Sequence, residues 1–359
     1  MKKYVKIYVE RMKKIWLLLF VVVITVTNIL AANGVKSFEV DKSSRIKNIK
    51  YGKQSGLFPI VNYRKTSKIP CIYKDKLHVT IRLFEQNNKS YFVIVDVNNL
   101  DVKIVEQSLC FYRKSDEKDR YFASSELGSS LYYKLLSYFN VIKNAKDNQG
   151  LKDVPNATGA FLSIDMCPSN REIESSLFDA VLKSAKNNEV NLLIAISGLW
   201  IITHPEDFSW LQSFSKVKGI KVTWVNHSFS HIYYKNVDPE KNFLLLPNTD
   251  IETEILETEK QLIKHGELPS PFFRFPGLMS NKMLVDTLTS YGLIQLGASA
   301  WISKLPEDYK VKNGDIVLVH GNGNEIKTSV NRVIKLIQSN QIIWKNLQDE
   351  LKFISAKIE

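Results

Sequence analysis

The run Gly159-Ala160-Phe161-Leu162-Ser163-Ile164-Asp165-Met166-Cys167-Pro168-Ser169 begins as a buried strand and ends in a turn, with a carboxylate at the strand's C-terminal mouth. A helix-length amphipathic stretch follows from about Arg171 to Asn187. The alternation then repeats. Val190 to Ser197 is a second strand, Gly198-Leu199-Trp200 its turn, and a helix opens at Pro205, where proline occupies the first turn without removing a needed donor. Ile220 to Val225 is a third strand. Short apolar runs alternating with helix-length stretches argue for a mostly parallel sheet with helices outside it.

The third strand delivers Trp224-Val225-Asn226-His227-Ser228-Phe229-Ser230-His231. Two imidazoles four residues apart can turn toward one point and leave positions open for water and substrate, as a hydrolytic metal centre requires. A histidine pair in a turn equally suits ordinary hydrogen-bonded surface. Further along, Ile316-Val317-Leu318-Val319 places His320 at the same mouth, before Gly321-Asn322-Gly323-Asn324. Those glycines suit a strand-to-helix turn and not a phosphate cradle, because no Lys-Ser or Lys-Thr follows at the required spacing. His78, His204 and His265 have no such surroundings and read as surface or locally bonded.

Toward the N-terminus, Lys2, Lys3, Lys6, Arg11, Lys13 and Lys14 precede an uncharged apolar stretch from Ile15 to about Ala32. Residues 1–35 are therefore expected to be an export signal or a membrane anchor, and the chain to act in the periplasm, the cell envelope or outside the cell. The net charge of +12 is uneven: residues 1–14 carry +5, residues 36–76 carry +8, and the remainder about −1. High pI thus describes the leader and the basic segment behind it, which removes the main support for nucleic-acid binding. Residues 36–76 read as a solvated basic tether able to rest on anionic head groups or polymers.

Subtracting the leader leaves about 325 residues, enough for two domains, with a break near Asp147 to Pro155. Within 77–150, Leu77 to Phe84, Ser90 to Val97 and Val102 to Tyr112 are strand candidates joined by Asn87-Asn88 and Asn98-Asn99 turns. They predict a small antiparallel meander, covered by a helix carrying Leu127, Leu131, Leu135 and Phe139. Of the three cysteines, Cys71 and Cys110 can join tether to meander in an exported chain, or stay separate thiols.

The order of these segments resembles the polysaccharide deacetylases, the NodB-homology domain of carbohydrate esterase family 4. The resemblance is carried by Asp165-x-x-Pro168-Ser169, Ser197-Gly198-Leu199-Trp200 with His204-Pro205, and Asn226-His227-Ser228-Phe229-Ser230-His231. Phe272-Phe273-Arg274-Phe275-Pro276-Gly277 is similar to that family's arginine-and-proline motif, and Ile316 to His320 to its last strand. It spans about residues 157–340. It implies an α/β fold, a distorted (β/α) barrel over 155–345, here preceded by a small α+β domain and an N-terminal apolar helix and followed by a helical tail at 346–359. It also implies a divalent metal, usually zinc, and removal of acetyl groups from N-acetylated amino sugars of a carbohydrate polymer. Carried over by position, Asp165 is the general base, His227 and His231 are metal ligands, His320 is the general acid and Arg274 positions the base. Trp301, Leu318 and Pro276 fall in the substrate-binding set.

Two departures stand out. Where the family has a second, metal-binding acid, this chain has Met166, a soft thioether better suited to copper(I) than to hydrolytic zinc. Gln295 to Trp301, at the fourth motif, contains no acid, so Arg274 is expected to lack its usual partner. Cys167 is a chemically suitable replacement donor, but strand alternation is expected to admit it to the mouth only where the strand turns. The alternative function is therefore a non-catalytic relative that binds glycan or serves an envelope assembly.

Overall fold

The computed structural model describes residues 59–111, 127–138 and 146–352. The expected leader or anchor, residues 36–58 of the tether, Tyr112, Phe139 and the tail beyond Lys352 lie outside them. Among the described residues no helix is long and apolar enough to cross a membrane.

The first sheet is antiparallel and contains β1 (Val61–Lys65), β2 (Pro70–Tyr73), β3 (Lys76–Gln86), β4 (Lys89–Asp96) and β5 (Val102–Glu106). Its order is β1-β3-β4-β5, with β2 also pairing β3. The β3–β4 hairpin turns at Asn87 and Asn88, whose φ of 50° and 60° suit the left-handed conformation asparagine tolerates. Two expectations need correction. Val61–Lys65 and Pro70–Tyr73 are strands, not tether: the charges of Arg64 and Lys65 are exposed on β1, where they hide a strand from a compositional reading. The third meander strand ends at Glu106, after which a short turn brings Cys110 into a disulfide with Cys71, Cα to Cα 5.3 Å. Helix α1 (Leu131–Tyr138) buries Leu131, Tyr132, Leu135 and Leu136 against this sheet, with Leu127 in the same cluster.

After the short strand β6 (Lys146–Asp147) come β7 (Phe161–Met166), α2 (Ser175–Ser184), β8 (Val190–Ile196), α3 (Gly198–Thr203) and α4 (Pro205–Phe214). They continue into β9 (Ile220–Asn226), α5 (Ile251–Lys264), β10 (Pro269–Phe273), β11 (Met279–Ser280) and α6 (Lys282–Ser290). The last elements are β12 (Ile294–Gln295), β13 (Ala300–Trp301), β14 (Ile316–His320), α7 (Lys327–Ser339) and α8 (Leu347–Leu351). Seven of the strands form one sheet, ordered β12-β10-β9-β8-β7-β14-β13, with parallel pairing throughout. β7 and β8 are buried at every position, as strands covered on both faces must be. Even-numbered Leu162, Ile164, Met166, Ile194 and Ile196 pack with the apolar faces of α2, α4 and α7. Odd-numbered Phe161, Leu193 and Ala195 face inward.

This sheet is a half-barrel, not a hydrogen-bonded cylinder. Its outer strands β12 and β13 lie at opposite ends of the order, yet only Leu296 to Ser299 separate them in sequence. Four residues cannot reach far, so the sheet's ends are brought together by the chain itself. The opening is filled by residues 148–154. Leu151 N–H donates to Gln295 O at 2.9 Å, Gly297 N–H to Leu151 O at 2.8 Å and Val154 N–H to Gly314 O at 2.9 Å.

The stretch expected to separate two domains is therefore part of the barrel wall. Ile81, Phe84 and Tyr132 of the first sheet and its helix share one hydrophobic cluster with Phe272, Ile294 and Leu296. The expected C-terminal tail also begins inside that cluster, through Leu347 and Leu351 of α8, each worth about 1.5–3 kcal/mol when fully buried.

Candidate metal centre

Parallel pairing sets the first element of the site. β14 and β7 lie side by side with His320 opposite Asp165, so both side chains arrive at the same mouth without any long-range search by loops. Asp165 is only 3% exposed. Arg274, fully buried just after β10, donates from Nη1 to Asp165 Oδ1 at 2.6 Å and to Ser163 Oγ, and from Nη2 to Gly297 O at 2.9 Å. The guanidinium thus keeps its carboxylate partner, and a backbone carbonyl from the β12–β13 connection replaces the acid missing there. Such a buried charge-assisted bond orients one oxygen of Asp165 and leaves Oδ2, 3.7 Å from His227 Nε2, facing the site.

His227 follows β9. Its Nδ1–H donates to Arg274 O at 2.8 Å, which leaves Nε2 as the lone-pair nitrogen. His231 reaches the same point through a constrained turn, with Ser228 at φ 66° and His231 at φ 48°. Left-handed backbone at non-glycine residues persists only where surroundings hold it. Here Glu254 of α5 accepts from Phe229 N–H and Ser230 N–H, both at 2.9 Å, and from Ser230 Oγ–H. From the other side, Gly198 N–H donates to Ser228 O at 3.1 Å and Leu199 N–H to Phe229 O at 2.8 Å. A Cβ on Gly198 would stand 2.4 Å from the Phe229 ring, which explains why this turn needs glycine. The imidazole centroids end 4.8 Å apart.

Met166 and Cys167 occupy opposite sides of the strand. Met166 is fully buried in the cluster with Ile164 and Phe178, its sulfur beside Gly321, and offers nothing to the mouth. Cys167 is two residues after Asp165, so the same alternation that turns Met166 away returns Cys167 to the mouth once β7 has ended at 166. Cys167 Sγ lies 3.5 Å from His227 Nε2. Among the described residues, Cys167, His227 and His231 are the His, Cys, Asp or Glu group whose donor atoms can share one ion, all within 4.8 Å of one another. One sulfur and two imidazole nitrogens are a donor set that fits zinc.

Sequence reasoning missed Glu325, five residues beyond His320, whose Oε2 is 3.0 Å from His320 Nδ1. Two acids, a thiol and three imidazoles set the charge balance. Burial pushes the His320 imidazole down, but Cys167, Glu325 and Asp165 outweigh it and hold its pKa well above the usual 6.5. Burial raises the Glu325 carboxyl, and His320 more than reverses that, so it stays ionised. At Cys167 burial opposes ionisation, while His231, His320 and His227 together bring the thiol well below its ordinary range. His227 is likewise lowered by burial and raised on balance by Cys167 and Asp165.

Asp165, Cys167, His227, His231 and His320 line a cleft of about 740 Å³. Trp301 and Leu318 form part of its wall, with the Trp301 ring 5.9 Å from that of His320 and Lys304 Nζ 3.7 Å above the indole. The indole Nε1–H has no acceptor among the described residues. Pro276 is a correction: it is buried, and the turn it begins instead presents Gly277, Leu278 and Met279 to the cleft. Tyr233, stacked on Phe243, and the acids Asp147, Asp238 and Glu240 complete the rim. Of the three histidines set aside, His78 is buried in the first sheet with Nδ1 bonded to Lys76 O.

Residues 61–133 match the family model described as the RP012 protein N-terminal domain, a span that begins at β1. Among solved structures, the chain is similar to BA3943, a carbohydrate esterase family 4 pseudoenzyme from Bacillus anthracis, at 16% identity and a TM-score of 0.39. That similarity covers 55% of this chain and 66% of the other, so this chain spans just under two thirds of it. PdaA of Bacillus subtilis, a family 4 carbohydrate esterase, is 14% identical with a TM-score of 0.42, over 61% of this chain and 87% of that one. A family 4 carbohydrate esterase from Streptomyces lividans in complex with acetate is 15% identical with a TM-score of 0.37, over 53% and 94%.

Proposed function

We propose that this chain is a metal-dependent deacetylase acting on N-acetylated amino sugars of an envelope or secreted polysaccharide. One observation carries the reading: Asp165 and His320, each with its own buried partner, flank a three-donor metal cluster in a single cleft. A bound divalent metal, with zinc the expected ion, supplies a Lewis acid for an amide carbonyl and a water of lowered pKa. His227 and His231 would hold it.

The chain's own groups then account for proton movement. Asp165 Oδ2 is free to take a proton from water, because Arg274 engages Oδ1 and fixes the plane of the carboxylate. His320, its Nδ1 bound to Glu325, presents Nε2 to protonate the departing amine, which is otherwise a poor leaving group. Leu318 and the face of Trp301 offer an apolar wall for an acetyl methyl. Export, anchored or cleaved, is supported by the basic-apolar leader and suits the Cys71–Cys110 disulfide, since disulfides persist in oxidising compartments.

The test is acetate release from defined N-acetylglucosamine oligomers. It is expected to stop on removal of metal with a chelator and to return with zinc. Tight oligomer binding with no acetate release at any metal loading would instead establish the non-catalytic glycan binder, the reading that Met166 in place of a carboxylate favours.

Glu325 gives the reaction a pH signature. The protonated His320 is the acid, so activity is supported below its raised pKa and falls as pH climbs through it. Glu325→Gln removes a charge that raises that pKa, and the alkaline limb of the kcat/KM profile is expected to move to lower pH. An alkaline limb that stays in place would show that Glu325 does not support the acid.

A further inference from the structure

We infer that the third protein ligand of this metal centre is the thiolate of Cys167, making it a Cys-His-His site in which the residue after Met166 supplies the missing anion. The inference rests on the proposed function above and specifies its metal site.

Geometry supports it first. Tetrahedral zinc with Zn–S near 2.3 Å and Zn–N near 2.0–2.1 Å requires sulfur and nitrogen ligand atoms to lie about 3.5 Å apart. Cys167 Sγ and His227 Nε2 are 3.5 Å apart before any ion draws them together. The His227 nitrogen that faces the sulfur is the one left without a proton by the Nδ1–H bond to Arg274 O. His231 completes a group whose donor atoms all fall within 4.8 Å.

The competing donors are occupied or misplaced. Met166 packs its thioether into the apolar cluster behind the sheet. Asp165 is a neighbour of the cluster, but its Oδ1 is committed to Arg274 at 2.6 Å and its Oδ2 is needed free as the base. Cys167 is held by its own backbone, where the Asn322 side chain donates to Cys167 O across the mouth.

Cobalt(II) distinguishes a sulfur ligand from a nitrogen or oxygen one without any reliance on turnover. Full-length protein, reduced and stripped of metal, is titrated with cobalt(II) and with zinc beside Cys167→Ser, Cys167→Asp and His227→Ala. Wild type is expected to show intense near-ultraviolet thiolate-to-cobalt absorption at one equivalent. Cys167→Ser is expected to lose that band and to bind zinc at least about 100-fold more weakly, more than the loss typical of a group that only orients a ligand. Cys167→Asp should lose the band yet recover part of the affinity, because it restores an anion.

The inference is overturned if wild type binds cobalt through His227 with no thiolate band, if Cys167→Ser binds zinc within about threefold of wild type, or if wild type takes up neither metal. Unchanged thermal melting of the metal-free variants separates a lost ligand from a lost fold. The two proposals fail separately: a thiolate band without acetate release removes only the deacetylase reading, and metal-dependent release without the band removes only the Cys167 ligand.

Discussion

Arg82→Ala is expected to lower unfolding stability by about 3–5 kcal/mol, as removal of one partner from a buried ion pair does. Arg82 lies on β3 and is fully buried. Its Nε and Nη2 meet Glu259 of α5 at 2.6 and 2.8 Å, and its Nη1 donates to Ile81 O at 2.8 Å and Tyr291 O at 2.5 Å. Glu259 also accepts from Tyr63 Oη–H at 2.9 Å and sits 3.5 Å from the Asn226 amide, next to His227. Truncating Arg82 strands the Ile81 and Tyr291 carbonyls and leaves the buried Glu259 carboxylate with the Tyr63 phenol and the Asn226 amide, and no cation to offset its desolvation.

Urea unfolding should show a lower midpoint at nearly unchanged slope. The same physics makes a second expectation. Arg82→Met combined with Glu259→Leu should recover most of the loss, because replacing a whole buried pair with apolar groups is often neutral. A cost below about 1 kcal/mol for Arg82→Ala would mean that water or a rearranged side chain satisfies Glu259, and that the first sheet is not pinned to α5 by this pair.

Asp165→Asn is expected to reduce acetate release by about 10²–10⁴-fold, the range that a positioned general base contributes. Asparagine keeps the shape and can still accept from Arg274 Nη1, so the guanidinium retains Asp165's site, Ser163 and Gly297 as partners. What disappears is the basic oxygen at Oδ2. The effect should therefore fall on kcat with little change in KM or in zinc affinity. A variant with near-normal kcat would remove Asp165 from the mechanism. A variant that loses zinc in step with activity would instead make Asp165 a ligand, in conflict with its engagement by Arg274.

Much of the site was legible because parallel strands bring function to their C-terminal ends. Asp165, His227 and His320 could each be placed at a mouth from a short apolar run and the residue that terminates it. Arg274 was legible as a residue but not as a geometry, since its third partner is a backbone carbonyl at Gly297, and carbonyls carry no sequence signal. Glu325 was missed for a related reason. It follows a Gly-Asn turn that reads as linker, and only the path of that turn folds it back onto His320. Cys167 was legible as a donor but not as a neighbour of the histidines, because its entry to the mouth depends on β7 ending at Met166, a boundary that strand alternation alone does not fix.

The first sheet shows the opposite weakness. Its hairpin asparagines and β-rich runs were plain, while β1 was hidden by Arg64 and Lys65, whose charges say nothing about backbone pairing.

By itself the sequence determined the alternation of strands and helices and the residues that end the strands of the mouth. These are local properties, governed by side-chain period, turn chemistry and the need to bury apolar faces. Only tertiary structure decided that residues 148–154 fill the wall between β12 and β13, that Arg82 reaches Glu259, and that Cys167, not Met166, stands with the two histidines. Each of these depends on which distant segments become neighbours. That outcome is set by packing of the whole core, and no short window of sequence contains it.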